Sequence, residues 1–110
     1  MAYDTRHYTL TLNGSAQRLS SVLPDTTPGG PDDLSSAVIV LQPDGANANP
    51  VFVGGPGVTT SDFGFRMEPG AAGAPPAPYT FTPEHRTMKL SSLYVIGTST
   101  QKLHILQIGF

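Results

Sequence analysis

The sequence AVIVLQPDG, at residues 37–45, decides the fold class. It contains five consecutive apolar residues, three of them β-branched, followed after one glutamine by Pro43, Asp44 and Gly45. The apolar run favours a strand because β-branched side chains suit a pleated sheet, and the residues after it favour a turn because proline presets φ and glycine accepts a positive φ. Since the run is apolar at both of its alternating positions, we predict a central strand that is covered on both faces.

Similar patterns recur along the chain. Residues 7–12 alternate polar and apolar side chains and end at the turn pair Asn13-Gly14. Helical periodicity is nearly absent, although residues 15–23 can hold one short turn. Further short stretches rich in apolar and β-branched residues lie at 51–53, 63–67, 79–81, 93–96 and 103–110. We therefore predict an all-β chain: a single domain over residues 1–110, built as a β-sandwich or jelly roll of about eight short antiparallel strands with long Pro/Gly loops.

Two segments have a composition that does not suit a sheet. Residues 24–33 (PDTTPGGPDD) and 69–78 (PGAAGAPPAP) are rich in proline, which cannot donate a ladder hydrogen bond. We predict that residues 24–33 form an exposed loop. Residues 69–78 have two interpretations: a surface loop or linker, or a stiff extended arm that lies on a neighbouring subunit. The second interpretation makes these prolines candidate interface residues: Pro69, Pro75, Pro76 and Pro78.

The C-terminal stretch is apolar up to its last residue. Its alternation places Leu103, Ile105 and Gln107 on one face and His104, Leu106, Ile108 and Phe110 on the other. Chain ends usually fray unless they are held by packing. We therefore expect this strand to be buried in the core or across an interface, and its candidate interface residues are Leu106, Ile108 and Phe110.

The low charge content limits the classes of partner that the chain is expected to bind. Only 13% of the 110 residues are charged and the net charge is −2, whereas soluble domains average about 25%. Because charge is depleted at the core of interfaces, we favour a domain partly covered by neighbouring subunits over a monomer with a Ser/Thr-rich surface. No basic cluster and no long apolar run occur, so we predict no nucleic-acid partner and no membrane span. The absence of cysteine excludes disulfides and thiolate sites.

No motif for catalysis is present. The histidines His7, His85 and His104 lack the spacing of metal ligands, and the trio at residues 84–86 (EHR) accompanies no nucleophile motif. Residues 53–60 (VGGPGVTT) follow a strand as a phosphate-binding loop does, but they lack the Gly-Lys-Ser/Thr ending, so we predict a bulged β-turn. We expect no enzymatic activity, no catalytic residue, no cofactor and no metal ion.

Three segments carry a resemblance to a known group of proteins. Residues 51–70 (VFVGGPGVTTSDFGFRMEPG), residues 93–98 (LYVIGT) and residues 12–19 (LNGSAQRL) resemble stretches of small structural proteins of tailed bacteriophages. The resemblance implies a virion β-sandwich, as in capsid decoration (cement) proteins, head fibres and small tail or baseplate components, commonly homo-oligomeric and often trimeric. The segment at 69–78 departs from it, being longer and richer in proline, and the resemblance assigns no binding residue.

These observations lead to one expected function and two alternatives. We expect a capsid decoration protein that binds itself, possibly as a trimer, and bridges subunits of the major capsid protein in the virion, after assembly in the host cytoplasm. The first alternative is a tail, baseplate or head-tail collar component. The second is a receptor- or carbohydrate-binding β module that uses Asp44, Asn47 and Asn49, although the chain has no tryptophan to stack on a sugar.

Overall fold

A computed structural model describes residues 5–22, 34–35, 38–71, 74–82, 88–89 and 92–108. Within these ranges the chain forms ten short β-strands and a 3-10 helix, Leu19–Val22. The strands are β1 (Thr5–Thr11), β2 (Gln17–Arg18), β3 (Leu34–Ser35), β4 (Val38–Pro43), β5 (Val51–Gly54), β6 (Phe65–Met67), β7 (Tyr79–Phe81), β8 (Met88–Lys89), β9 (Tyr94–Ile96) and β10 (Lys102–Ile108).

Eight of these strands form two four-stranded antiparallel sheets. The first sheet has the order β1-β10-β4-β7 and the second has the order β2-β9-β5-β6, while β3 and β8 form a separate two-stranded ladder. The prediction of an all-β sandwich of short antiparallel strands is confirmed. In the described ranges, no helix is long and apolar enough to cross a lipid bilayer.

The strand order follows one rule. β1 pairs with β10, β2 with β9, β3 with β8, β4 with β7 and β5 with β6. The chain is thus one long antiparallel hairpin whose tip is the loop at residues 55–64. Two further ladders, β10 with β4 and β5 with β9, fold the hairpin into the two sheets.

The core lies between the inner faces of the two sheets. On β10, Leu103, Ile105 and Gln107 are buried and the residues between them are exposed or half-buried, as the alternation predicted. Full burial of one aliphatic side chain is worth roughly 1.5–3 kcal/mol, so this apolar layer holds the sheets together. It comprises Leu10, Leu12, Leu19, Ile39, Leu41, Val51, Val53, Met67, Val95, Leu103 and Ile105.

The prediction that residues 37–41 are covered on both faces is wrong for the single chain. β4 is an inner strand of its sheet, and Ile39 and Leu41 are fully buried. Val38 and Val40, which point to the opposite face, are only half-buried. The physical reason is that a two-layer sandwich places a second sheet against one face of each strand only.

The other boundaries differ little from the predictions. β6 begins at Phe65 rather than at residue 63, so Phe63 lies in the preceding loop and is 41% exposed. The short turn predicted within residues 15–23 is the 3-10 helix. The predicted exposed loop at 24–33 and the last two residues lie outside the described ranges.

Candidate interaction surfaces

The outer face of the first sheet carries an apolar patch. The ladder between β10 and β4 sets Leu106 beside Val40 and Ile108 beside Val38. Val38, Val40 and Leu106 are half-buried, and Ile108 is 37% exposed. We call these four residues the outer patch. Two of the predicted interface residues, Leu106 and Ile108, belong to it, and the third, Phe110, lies outside the described residues.

The clustering of the outer patch distinguishes it from ordinary surface residues. Single exposed aliphatic side chains are normal on soluble domains, whereas adjacent apolar side chains on one sheet face form a candidate contact surface. Covering a side chain that is already half-buried gains roughly 1 kcal/mol, about half the value for full burial. Four such side chains therefore provide a modest but directed driving force for association.

His104 connects separate parts of the same outer face. Its Nδ1 lies 3.2 Å from Thr9 Oγ1 on β1, and its Nε2 lies 2.7 Å from Asp44 Oδ1, just beyond β4. Asp44 Oδ2 also accepts a hydrogen bond from the Ala46 N–H at 3.0 Å. The hydrogen bond to His104, and after it the bond from Ala46, hold the pKa of Asp44 below its ordinary value.

The order of hydroxyl, imidazole and carboxylate in this group matches that of a hydrolytic triad, but the environment differs. In such triads the carboxylate is buried, which keeps the imidazole oriented and stabilises its charge. Here the side chains of His104 and Asp44 are 45% and 32% exposed. Water competes for both groups, and we assign the cluster to cross-strand stabilisation.

The turn after β4 contains Asp44, Asn47 and Asn49, the residues of the carbohydrate-binding alternative. Asn47 is buried, and its amide bonds to the backbone of Lys102 through both of its polar atoms. The orientation of the Gln101 amide that satisfies its neighbours accepts from Ala48 N–H at 3.0 Å and donates to Asn49 O at 3.2 Å. Asn47 thus stabilises the turn, and its amide is not presented to a ligand.

The segment at residues 69–78 folds back on its own domain. Ala74 N–H donates to Ala71 O at 2.9 Å, and the Gln42 side chain donates to Pro76 O at 2.8 Å. Pro76, one of the candidate interface residues, is buried within its own domain. The physical reason is that the proline ring packs closely against Gly70. A Cβ atom built on Gly70 would lie only 2.9 Å from Pro76 Cδ. The described residues of this segment do not form an extended arm.

The remaining prolines of this segment line a groove of about 330 Å³. Pro75 and Pro78 are exposed and Pro69 is half-buried. One wall of the groove is aromatic: Phe65 on β6 stacks on Tyr79 on β7, with ring centroids 4.2 Å apart. Because β6 and β7 are edge strands of different sheets, this stack closes one open side of the sandwich.

Apolar residues on the outer face of the second sheet are better covered by the chain itself than those of the outer patch. Phe63, from the hairpin-tip loop, lies over Phe52 with ring centroids 4.8 Å apart, and Phe52 is 9% exposed. Within that loop, Val58 N–H donates to Gly55 O at 3.0 Å and Val58 is buried. The loop is therefore a compact turn, in agreement with the predicted bulged β-turn.

The ionisable candidates do not form a metal site in the described part of the chain, where no group of three His, Asp or Glu side chains is placed to hold an ion. His7 is exposed on β1, and the predicted trio at residues 84–86, with His85, lies outside the described ranges. Comparison with protein-family models gives no match, and comparison with curated proteins gives none either.

Proposed function

We propose that this chain is a non-enzymatic structural component of a bacteriophage virion, a capsid decoration (cement) protein that bridges subunits of the major capsid protein. The observation that carries the proposal is the outer patch, because it leaves an inner strand of the sandwich covered on one face only. A strand that is apolar on both faces is stable in water when a neighbouring molecule covers the second face.

Three further observations support the proposal. The low charge of the chain suits a surface that is covered by neighbours. The resemblance of residues 51–70, 93–98 and 12–19 to tailed-phage structural proteins supports a virion as the assembly. The nested strand pairing resembles that of jelly rolls, which occur in viral capsid domains but also in lectins and cupins, and a fold alone does not assign a function.

The mechanism is stabilisation by binding. A protein that binds the assembled shell and not its dissociated subunits shifts the equilibrium towards the shell by mass action. The outer patch would lie against a capsid subunit, with the polar side chains around it setting the orientation. Low charge on the docking face avoids the cost of burying unpaired ions.

The test is the number of copies of this chain in purified particles, measured by quantitative mass spectrometry against the major capsid protein. A decoration protein should occur in numbers comparable with the capsid protein. A number that matches the small symmetry of a tail or baseplate would favour the first alternative instead. Absence of the chain from purified particles would overturn the virion assignment.

A further inference from the structure

The backbone of Lys102 shows which groups of β1 point away from the sheet. Its N–H donates to Asn47 Oδ1, and its C=O accepts from Asp44 N–H and from Asn47 Nδ2. The backbone of Lys102 therefore faces the β4 side and not β1. Thr11, which lies opposite Lys102 on β1, is thus in a non-hydrogen-bonded pair, and its own N–H and C=O point outward.

The same holds for every second residue of β1. Thr5, His7 and Thr9 occupy equivalent positions in the ladder, opposite Ile108, Leu106 and His104. Their N–H and C=O groups point to the free edge of the sheet and have no backbone partner among the described residues. All three residues are exposed. β1 therefore presents a regular row of unused donors and acceptors.

The other edges of the two sheets are much shorter. The edge strands β7 and β6 have three residues each and β2 has two, whereas β1 has seven. β7 also follows Pro78, which has no N–H to donate. Short length and proline protect sheet edges from pairing with other chains. β1 has neither protection, since its sequence TRHYTLT contains no proline, no lysine and no acidic residue.

One end of the β1 edge is closed by the chain itself. Gln17 Nε2 donates to the outward Thr11 C=O at 3.3 Å, and Gln17 Oε1 accepts from the Asn13 N–H at 3.0 Å. Among the described residues of β1, those with both backbone groups open at this edge are therefore Thr5, His7 and Thr9, which are centred on His7. A strand that pairs with all three residues must be centred there.

We propose that a second copy of this chain is the occupant, and that two β1 strands pair antiparallel about a two-fold axis at His7. In this register His7 faces His7 of the second copy, and Thr5 faces Thr9 of the second copy. Each facing pair exchanges two backbone hydrogen bonds, which uses the outward N–H and C=O groups of Thr5, His7 and Thr9 in both copies. A second copy fits because both partners offer the same pattern with the same length, as an isologous contact requires.

Pairing in this way joins the two first sheets into one continuous sheet of eight strands. The two-fold axis of an antiparallel strand pair is perpendicular to the sheet, so both outer patches face the same side. The dimer thus presents a doubled apolar surface to a single larger partner. A two-fold dimer differs from the trimers that are common among the proteins this chain resembles, and the inference does not rest on the virion role.

Cysteine cross-linking tests the register directly, because the natural chain has no cysteine. In the proposed dimer the two Cα atoms at position 7 are about 5.5 Å apart, within the range that a disulfide spans. The two Cα atoms at position 9 are offset by four residues along the strands, about 13 Å, which is beyond that range. After mild oxidation, the disulfide-linked fraction of His7→Cys should exceed that of Thr9→Cys by about tenfold. Equal cross-linking of the two variants, or none in either, would overturn the proposal.

Sedimentation of the unmodified chain provides the independent measurement. A contact through one strand edge is small, so we expect a Kd in the micromolar range and a mass approaching twice 11.6 kDa at about 200 μM. His7→Pro should remain a folded monomer, because the N–H that it removes is not used within its own sheet and proline is tolerated in edge strands. A monomeric wild-type chain at this concentration, or a folded His7→Pro variant that still dimerises, would contradict the inference. Neither result would change the copy number in particles, which decides the proposed function separately.

Discussion

The side-chain amide of Asn47 pairs with both backbone polar groups of Lys102. Nδ2 donates to Lys102 O at 2.8 Å, and Oδ1 accepts from Lys102 N–H at 3.0 Å. The amide thus reproduces the two bonds that a neighbouring strand would form, at the point where β4 has ended and β10 begins. A turn residue thereby extends the ladder of the first sheet.

Asn47→Ala should destabilise the fold by about 1–3 kcal/mol, because it leaves the Lys102 N–H without its partner at a part-buried position. Urea unfolding followed by circular dichroism measures the change. The matched control is Asn49→Ala, in the same turn, where the residue is exposed and its amide donates to the Gln101 side chain at 3.3 Å; it should lower the free energy of unfolding by less than about 1 kcal/mol. Equal effects of the two substitutions would show that the bonds to Lys102 do not stabilise the turn.

Gly70→Ala should disrupt the folded-back proline segment. A Cβ at this position would meet Ala74 O at 2.7 Å and Pro76 Cδ at 2.9 Å, and neither atom is the end of a flexible side chain. We expect a loss of about 1–3 kcal/mol, typical of overpacking, together with faster proteolysis between residues 69 and 78. Gly55→Ala is the control, since a Cβ there meets nothing within 4 Å. Unchanged proteolysis of Gly70→Ala would mean that the segment does not depend on this close approach.

The bond between Asp44 and His104 predicts a specific loss of stability in acid. The folded chain holds the pKa of Asp44 below its ordinary value of 3.8. The ionised carboxylate therefore stabilises the fold above that value, and the contribution is lost as the pH falls through the lower folded pKa. Asp44→Asn should be less stable than wild type near neutral pH and equally stable at about pH 2. Chemical unfolding across this pH range measures the difference.

His104→Gln provides the control for this acid effect, because the bond to His104 is the largest cause of the lowered pKa. The part of the acid-induced loss of stability that depends on Asp44 should be smaller in this variant than in wild type. It should be absent from the double variant with Asp44→Asn. A difference between wild type and Asp44→Asn that does not change with pH would contradict the electrostatic explanation. The effect should also weaken in high salt, since both side chains are partly exposed.

Local sequence patterns predicted seven of the ten described strands and the inward face of β10, because these depend on alternation within a few residues. They also located Leu106 and Ile108 on the opposite face of that strand. They did not predict the two-residue strands β2, β3 and β8. Local patterns failed where the structure depends on contacts between residues that are far apart in the sequence. The proline content of residues 69–78 shows that this segment cannot join a ladder, but not that Gln42 fixes Pro76 against the domain.

The surroundings of β4 illustrate the same limit. An apolar run such as residues 37–41 is compatible with cover on both faces, and only the sheet order shows that one face has no second layer. Asn47 lies in a loop sequence that is typical of a ligand site, yet its partner, Lys102, is 55 residues away. The contact between His104 and Asp44 spans 60 residues and follows from the register of β10 with β4, which composition does not determine.

The outer patch leads to the prediction that bears most directly on function. Val40→Thr combined with Ile108→Thr keeps β-branched side chains on both strands, while a hydroxyl replaces a methyl group at position 40 and an ethyl group at position 108. We expect the isolated domain to lose less than about 1.5 kcal/mol, because neither side chain is fully buried. Its incorporation into particles should fall by at least about tenfold, since the hydroxyls would be desolvated at the contact.

The matched control is Ile96→Thr, a half-buried aliphatic residue on the outer face of the second sheet. Particles assembled in cells that produce each variant in place of the wild-type chain are purified, and the ratio of this chain to capsid protein is measured by mass spectrometry. The control should be incorporated at the wild-type level. If the double variant is folded and incorporated equally well, the outer patch is not the docking surface. If Ile96→Thr is the variant that is lost, the contact lies on the second sheet instead, because this single substitution removes less apolar surface than the double variant does.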